Sequence, residues 1–382
     1  MNRRKRKETR DMKKRLLTLV LSVALASAGA QSVDNRNVGY SVRYEKEHLL
    51  LQKDSGINVV DYDIEWPEIV GYTDVPGLQR LISESLTGNA TLGFDSLATS
   101  LHQRYGTPVS EMFREIPDDR RFCYVTASAR IVGYEPNHWI AYHVGLKVEP
   151  GKLSAFEAEA TDRVVVCDLT CGKVYLASDL VSSAIMNRNE PQDFYDLLFK
   201  PLSDNFFNAM IAYEIDGVWV TRGQLCYLIK ASTVDEVQTY VASLPLDTYA
   251  YSLSRQGKKL FTKKAEILNP QTAMQPNVIG GDSIYSNVEK MPEMKGGRDA
   301  LKQYLSHVSQ PALPLAGPAK VYTSFVVGKD GKLSDVCVLH PVDPVVDRHA
   351  AMTIKGMPEF MPGQQDGNNV MVRMYMPITY QP

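Results

Sequence analysis

Residues 288–380 switch between helical and strand periodicity in an order that leaves few ways for the segment to fold. From Gly297 onward, Ala300, Leu301, Tyr304, Leu305 and Val308 recur at helical spacing, and Pro311 and Pro314 stop that helix. Val321, Thr323, Phe325 and Val327 then alternate with Tyr322, Ser324 and Val326. After Lys329-Asp330-Gly331 the chain returns through residues 333–339, which predicts a β-hairpin with a glycine-containing turn. Asp343 as N-cap and Pro344 at the first helical position open a second helix, with Val346, Ala350 and Ile354 on one face. The closing strand sets Val370, Val372, Met374, Met376 and Ile378 on one face and Arg373, Tyr375 and Thr379 on the other. One face is expected to be core and the other wet.

Pro377 adds a positional constraint. A proline has no N–H to give to a ladder, so it belongs on an edge strand, at a strand end or at a bulge. The closing strand is therefore expected at the edge of its sheet, where unpaired N–H and C=O groups can take up a further extended segment. Val372, Arg373, Met374, Tyr375 and Met376 are the candidate partner-binding residues.

The motifs of this region closely resemble the TonB C-terminal domain as found in Bacteroidetes-type bacteria. They are Val288-Glu289-Lys290-Met291-Pro292-Glu293, Gly296-Gly297, Ser324-Phe325-Val326-Val327, Asp330-Gly331, Met357-Pro358 and Pro362-Gly363, in family order and at family spacing. The resemblance covers residues 285–380 and implies a three-stranded antiparallel sheet packed with two helices. It also implies a binding module rather than a catalyst, whose last strand pairs with an extended box of an outer-membrane transporter. Residues 310–320 are proline-rich and lack the family's usual tyrosine-proline and glycine pattern.

Ahead of this module, 382 residues with 44% apolar content suit two globular domains. Nine basic residues between Arg3 and Arg15 precede the apolar run 16–26 and the small residues Ala26-Ser27-Ala28-Gly29-Ala30. This reads as a secretory signal peptide over residues 1–30, cleaved after Ala28 or Ala30, because the run falls short of the roughly 20 residues a membrane span needs. The 30 residues carry nine basic and two acidic side chains, so their removal takes the formal charge from −2 to −9. An acidic mature chain argues against nucleic acid or anionic lipid as partner. Five cysteines, Cys123, Cys167, Cys171, Cys226 and Cys337, are an odd number, so at least one stays unpaired or pairs between chains.

Residues 40–260 read as a second, larger α+β domain, an antiparallel sheet with helices, joined to the first by a polar, Pro- and Gly-containing linker over 261–284. Asp74 as N-cap and Pro76 open a helix bearing Leu78, Leu81, Ile82 and Leu86, and Asp95 starts another bearing Leu97, Leu101 and Tyr105. Hairpins are expected for residues 122–134 with 138–148, for 163–168 with 174–176, and for 218–220 with 225–229. A helix is expected over 193–210. Thr233-Val234-Asp235-Glu236 reads as a capping box opening a helix with Val237, Tyr240, Val241 and Leu244. Through residues 168–180 and the 218–229 hairpin, the region resembles the RsiV-like and PdaC-like periplasmic domain of unknown function. Where that family usually has a glycine and histidine motif, this chain has Ala155-Phe156-Glu157-Ala158-Glu159-Ala160.

Motifs for catalysis are missing: there is no G-x-S-x-G elbow, H-E-x-x-H, Walker loop or dinucleotide fingerprint. His138 and His143 fall on opposite faces of an alternating strand, and Cys167 and Cys171 have no second ligand pair at zinc spacing, so neither a metal nor a cofactor is expected. Glu115, Asp118 and Asp119 sit among Arg114, Arg120 and Arg121 as a solvated mixed-charge loop. The expected function is that of a non-catalytic periplasmic or secreted binding or adaptor protein in the cell envelope. Its C-terminal module would dock an outer-membrane transporter or other envelope protein by strand addition, and its middle domain would recognise a second ligand. Two other functions stay open. One is a TonB-type energy transducer for transmembrane transport, anchored in the inner membrane by an uncleaved 16–26 segment; the other is a cell-envelope hydrolase with its site in residues 40–260.

Overall fold

A computed structural model describes residues 40–53, 56–70, 73–109, 122–136, 138–152, 154, 156–187, 189–262, 278–279, 281–308 and 317–381. The signal-peptide expectation, the 114–121 charge cluster, Pro311, Pro314 and most of the expected linker lie outside them. The chain divides into two compact units, Arg43–Leu268 and a second formed by Asn269–Pro382 with the residues up to Val42.

In the larger unit, strands β1 (Tyr40–Lys53), β2 (Gly56–Val70), β5 (Phe122–Glu135), β6 (Trp139–Pro150), β7 (Glu159–Asp168) and β8 (Lys173–Tyr175) lie side by side in that order. Short strands β3 (Thr73–Asp74) and β4 (Thr107–Pro108) add to β2 and β1. The expected hairpins β5–β6 and β7–β8 are present and antiparallel. The β2–β5 pair departs from the expected antiparallel sheet: it is parallel, from Ile57 opposite Phe122 to Ile64 opposite Ala129. The reason is the crossover between them, which carries the helices Pro76–Thr87 and Phe94–Tyr105. Their buried stripes are Leu78, Ile82 and Leu86, and Leu97, Leu101 and Tyr105. Val75, not Asp74, occupies the N-cap position of the first helix, and Gly93 that of the second.

A second sheet, β9 (Ala212–Thr221), β10 (Gln224–Ser232) and β11 (Val237–Pro245), is antiparallel throughout. Arg222 and Gly223 close the β9–β10 hairpin with φ of 49° and 72°, as a two-residue turn of the primed type requires. The β11 strand replaces the helix expected after Thr233. The Thr233 hydroxyl does accept the Glu236 N–H, at 3.0 Å, but it closes a turn instead of a helix cap. Residues 237–245 also carry a period of two, with Ala242 and Leu244 buried and Val237 and Val241 exposed, and pairing with β10 selects that period. The single helix expected over 193–210 is two, Gln192–Leu198 and Asp204–Ala209. Pro201 falls in the break, and Ser203 caps the second by accepting the Phe206 N–H.

The core of this unit fills the space between the two sheets and the short helices. Trp139, Val164 and Val166 of the first sheet cluster with Val218, Trp219 and Tyr227 of the second, and Phe194, Leu198 and Leu260 close it. Gly217 lets β9 approach β7: a Cβ there would lie 2.4 Å from the Val164 Cβ.

In the C-terminal unit, β15 (Ala319–Val327), β16 (Leu333–His340) and β19 (Asn368–Tyr380) form the three antiparallel strands expected, with β15 in the middle. The helices Gly297–His307 and Pro344–Lys355 bury Leu301 and Leu305, and Val346, Ala350 and Ile354. Tyr304 Oη joins the two helices by donating to the Thr353 carbonyl at 2.9 Å. Asp343 caps the second by accepting the Val345 N–H at 3.0 Å, with Pro344 at its first position. Gly331 has φ 83° at the β15–β16 turn, and a Cβ there would come within 2.0 Å of the Phe360 carbonyl, so the glycine is required twice. The sheet is wider than expected. β12 (Val278–Ile279) and β13 (Asp282–Tyr285), inside the expected linker, extend it beyond β19, and Tyr40 and Ser41 pair with β16 at Val338 and Cys337. Two short pieces, β14 (Glu293–Met294) and β17 (Phe360–Met361), pair with each other, and β18 (Gly363–Gln365) pairs with the start of β19.

Gly217→Ala is expected to destabilise the larger unit by about 1–3 kcal/mol through overpacking against Val164, read as a lowered urea midpoint. Gly223→Ala, with nothing within 4 Å of its Cβ, tests positive-φ strain alone at φ 72°.

Candidate functional site

β19 begins from a tight turn in which Asp366 and Gly367 have φ of 50° and 73°. Asn368–Val370 pair with β18. Met371 and Val372 pair in parallel with Ile284 and Tyr285 of β13. On the other flank β15 pairs without a register shift from Val327 opposite Val372 to Ala319 opposite Tyr380. Val372 is therefore enclosed by strands on both sides, which removes it from the expected edge. From Arg373 to Tyr380, β15 is the one strand paired with β19 among the described residues.

Which backbone groups of 373–380 point outward follows from Met376. Its carbonyl accepts a hydrogen bond from the Thr323 hydroxyl at 2.7 Å, so it is turned toward β15. Backbone groups alternate in direction along a strand, so the neighbouring residues Tyr375 and Pro377 face the open side, as do Arg373 and Thr379. Pro377 accordingly sits opposite Tyr322 in an unbroken ladder, because its nitrogen points away from the partner strand. From Tyr375 onward the outward set is the N–H groups of Tyr375 and Thr379, and the carbonyls of these two and of Pro377.

The side chains depart from the simple core-and-wet reading. Val372, Met374, Met376 and Ile378 are buried as expected. Arg373, expected on a wet face, is 4% exposed and pairs with Asp335 at 2.7 Å. Ser324 and Val326, on the same side of the sheet, are both buried. A guanidinium is tolerated there because a carboxylate meets it; Asp335 reaches that position from a backbone of φ 48° in β16. Tyr375 is exposed at 36%, and partial burial raises its hydroxyl pKa while the Arg373 charge opposes the shift.

Beside this edge lies a pocket of about 240 Å³. Met374, Tyr375, Met376 and Pro377 line one part of it. Pro292, Met294, Leu301 and Phe360 are its other buried members, and the Phe360 ring meets Phe325 edge-on, with centroids 6.0 Å apart. Met291 and Pro292 contribute from the β14 side, and Glu293 and Arg298 are exposed on it. Met291-Pro292-Glu293 stood out in the sequence as motif residues, and Phe360 lies between two further motifs, Met357-Pro358 and Pro362-Gly363. That they wall a pocket follows only from the β14–β17 pairing, which no local pattern announces.

Elsewhere, His138 is buried just before β6, and burial holds its imidazole pKa below the usual value. His143 within β6 pairs with Asp162. Cys167 is buried in β7, Cys171 is exposed in the following turn, and all five cysteines are free thiols. Among the described residues, no group of three or more His, Cys, Asp or Glu is placed to hold a metal ion, and no helix is long and apolar enough to cross a membrane.

The chain is thus a two-unit α+β protein whose C-terminal sheet ends in a half-open strand. Residues 317–382 match the family described as the Gram-negative bacterial TonB protein C-terminal. No curated protein matches the chain. Among solved structures, a DUF3298 family member from Bacteroides fragilis is similar at 9% identity and a TM-score of 0.40, over 59% of this chain and 97% of that one. A DUF3298 family protein from Pseudomonas aeruginosa is similar at 11% identity and a TM-score of 0.39, over 59% of this chain and 98% of that one. Likeness at this level says nothing about activity.

Arg373→Met is expected to cost about 3–5 kcal/mol, because it strands the buried Asp335 carboxylate. The double variant Arg373→Met/Asp335→Leu is expected to recover much of that loss, measured by thermal or urea unfolding.

Proposed function

We propose that the protein is a non-catalytic periplasmic binding or adaptor protein whose C-terminal unit takes up an extended segment of a partner as an added strand on β19. The partner class is an outer-membrane transporter or another envelope protein. The observation that carries the reading is the ladder that is closed on both sides at Val372 and, among the described residues, paired on one side alone from Met374 to Tyr380. The family match over 317–382 supports it, because β15, β16 and β19 all fall within the matched residues.

Magnitudes set what the added strand must bring. Each ladder bond is worth a net of about 0.5–1.5 kcal/mol, whereas association costs roughly 4–15 kcal/mol. The five outward groups of residues 375–379 supply roughly 2.5–7.5 kcal/mol at that worth, which is about half of the cost at the middle of both ranges. Side chains of the incoming segment have to contribute, so the backbone supplies register and direction while side-chain burial supplies most of the affinity.

The test is a titration of the whole ¹⁵N-labelled chain with synthetic peptides copied from the plug segments of outer-membrane transporters. Amide shifts are expected at Tyr375 and Thr379. Peptides that leave every amide of residues 373–380 unmoved contradict the reading.

A further inference from the structure

The open groups of β19 and the 240 Å³ pocket are one continuous feature, since Tyr375 and Pro377, whose backbone groups face outward, line the pocket together with their neighbours Met374 and Met376. We infer that this pocket is the specificity site of the edge, and that it takes a single uncharged apolar side chain, of the size of leucine, methionine or phenylalanine, from the segment that adds to β19. The inference rests on the strand-addition reading.

Three observations define the occupant. Size comes first. At about 240 Å³ the pocket is smaller than the roughly 300–1,000 Å³ typical of small-molecule sites, and a side chain held from a neighbouring strand is a better match. Direction comes second. Side chains directly opposite one another in a sheet share a face, so the residues of an added strand that lie opposite Met374 and Met376 point to the side where these methionines meet the pocket. This holds whether the segment adds in parallel or antiparallel, and only alternate residues of the segment qualify.

Charge comes third. The buried lining residues Pro292, Met294, Leu301, Phe360, Met374 and Met376 carry none, and the exposed Glu293 and Arg298 are opposite in sign. A neutral occupant leaves both of these hydrated, whereas a carboxylate or ammonium placed against the buried members loses water without gaining a partner. Methionines on both sides of the pocket, Met291 and Met294 on one and Met374 and Met376 on the other, adapt to aliphatic or aromatic shapes and prefer none of them sharply. The structure therefore selects an apolar class at one position of the segment and leaves the flanking positions to the backbone.

The experiment uses the full chain and a labelled threonine- and serine-rich decapeptide with one central guest position occupied by leucine, alanine or aspartate. Binding is read by fluorescence anisotropy and by the β19 amide shifts. The leucine peptide is expected to bind about tenfold or more tightly than the alanine peptide, and the aspartate peptide no better than alanine. Met291→Trp, which fills the pocket from a partly exposed position, is expected to bring the ratio of leucine to alanine binding from about tenfold to about one, and a ratio that stays near tenfold overturns the pocket as the specificity site. Met291→Phe serves if the tryptophan variant does not fold. Equal binding of all three guests, with shifts at Tyr375 and Thr379, overturns the specificity site and keeps strand addition. No binding of any peptide, together with unmoved amides, overturns both.

Discussion

A β-strand carries hydrogen-bonding groups on both flanks, and the structure around β19 follows from how those groups are met along its thirteen residues. Its first part is met by β18 and β13, its inner flank by β15, and its outer flank from Met374 onward by no strand among the described residues. Pro377 enforces this division, because a strand adding across that position finds a carbonyl and no donor. The edge is thus neither fully available nor fully covered. It offers a short, polar register with a defined beginning at the β13 junction and a proline partway along.

The same stretch is stiffened from within. Thr323 fixes the direction of the Met376 carbonyl, and the Arg373–Asp335 pair anchors the strand where β13 leaves it. A buried ion pair is a weak source of stability but strongly penalises any register in which one partner is stranded. Slipping β19 by one residue would place Arg373 on the apolar face and a methionine against Asp335, so the pair acts as a register lock. A peptide that adds to this edge meets a pre-set ladder, which lowers the ordering cost of binding.

How much of this was legible in the sequence depended on whether the determinant was local. The hairpin turns, the Asp343–Pro344 helix start and the apolar faces of both C-terminal helices are set by neighbouring residues, and the structure has them where the spacing places them. Residues 237–245 fit a helical and a strand period almost equally, and only the partner strand β10 decides between them. The strands β12 and β13 are too short, at two and four residues, to show a period among polar, Pro- and Gly-containing neighbours, so composition reads them as linker; the pairing of β13 with β19 is a tertiary effect. The same is true of the site. Pro377 announced an edge, but the enclosure of Val372, the burial of Arg373 and the pocket beside Met374 all depend on segments distant in sequence.

The central claim concerns single backbone groups, and amide hydrogen exchange on the unliganded chain addresses them directly. If the outer flank is open, the N–H groups of Tyr375 and Thr379 exchange quickly while those of Met374, Met376, Ile378 and Tyr380 are protected, an alternation along one strand. Uniform protection from Arg373 to Tyr380 would mean that the flank is already occupied and that β19 has no free side for a partner strand.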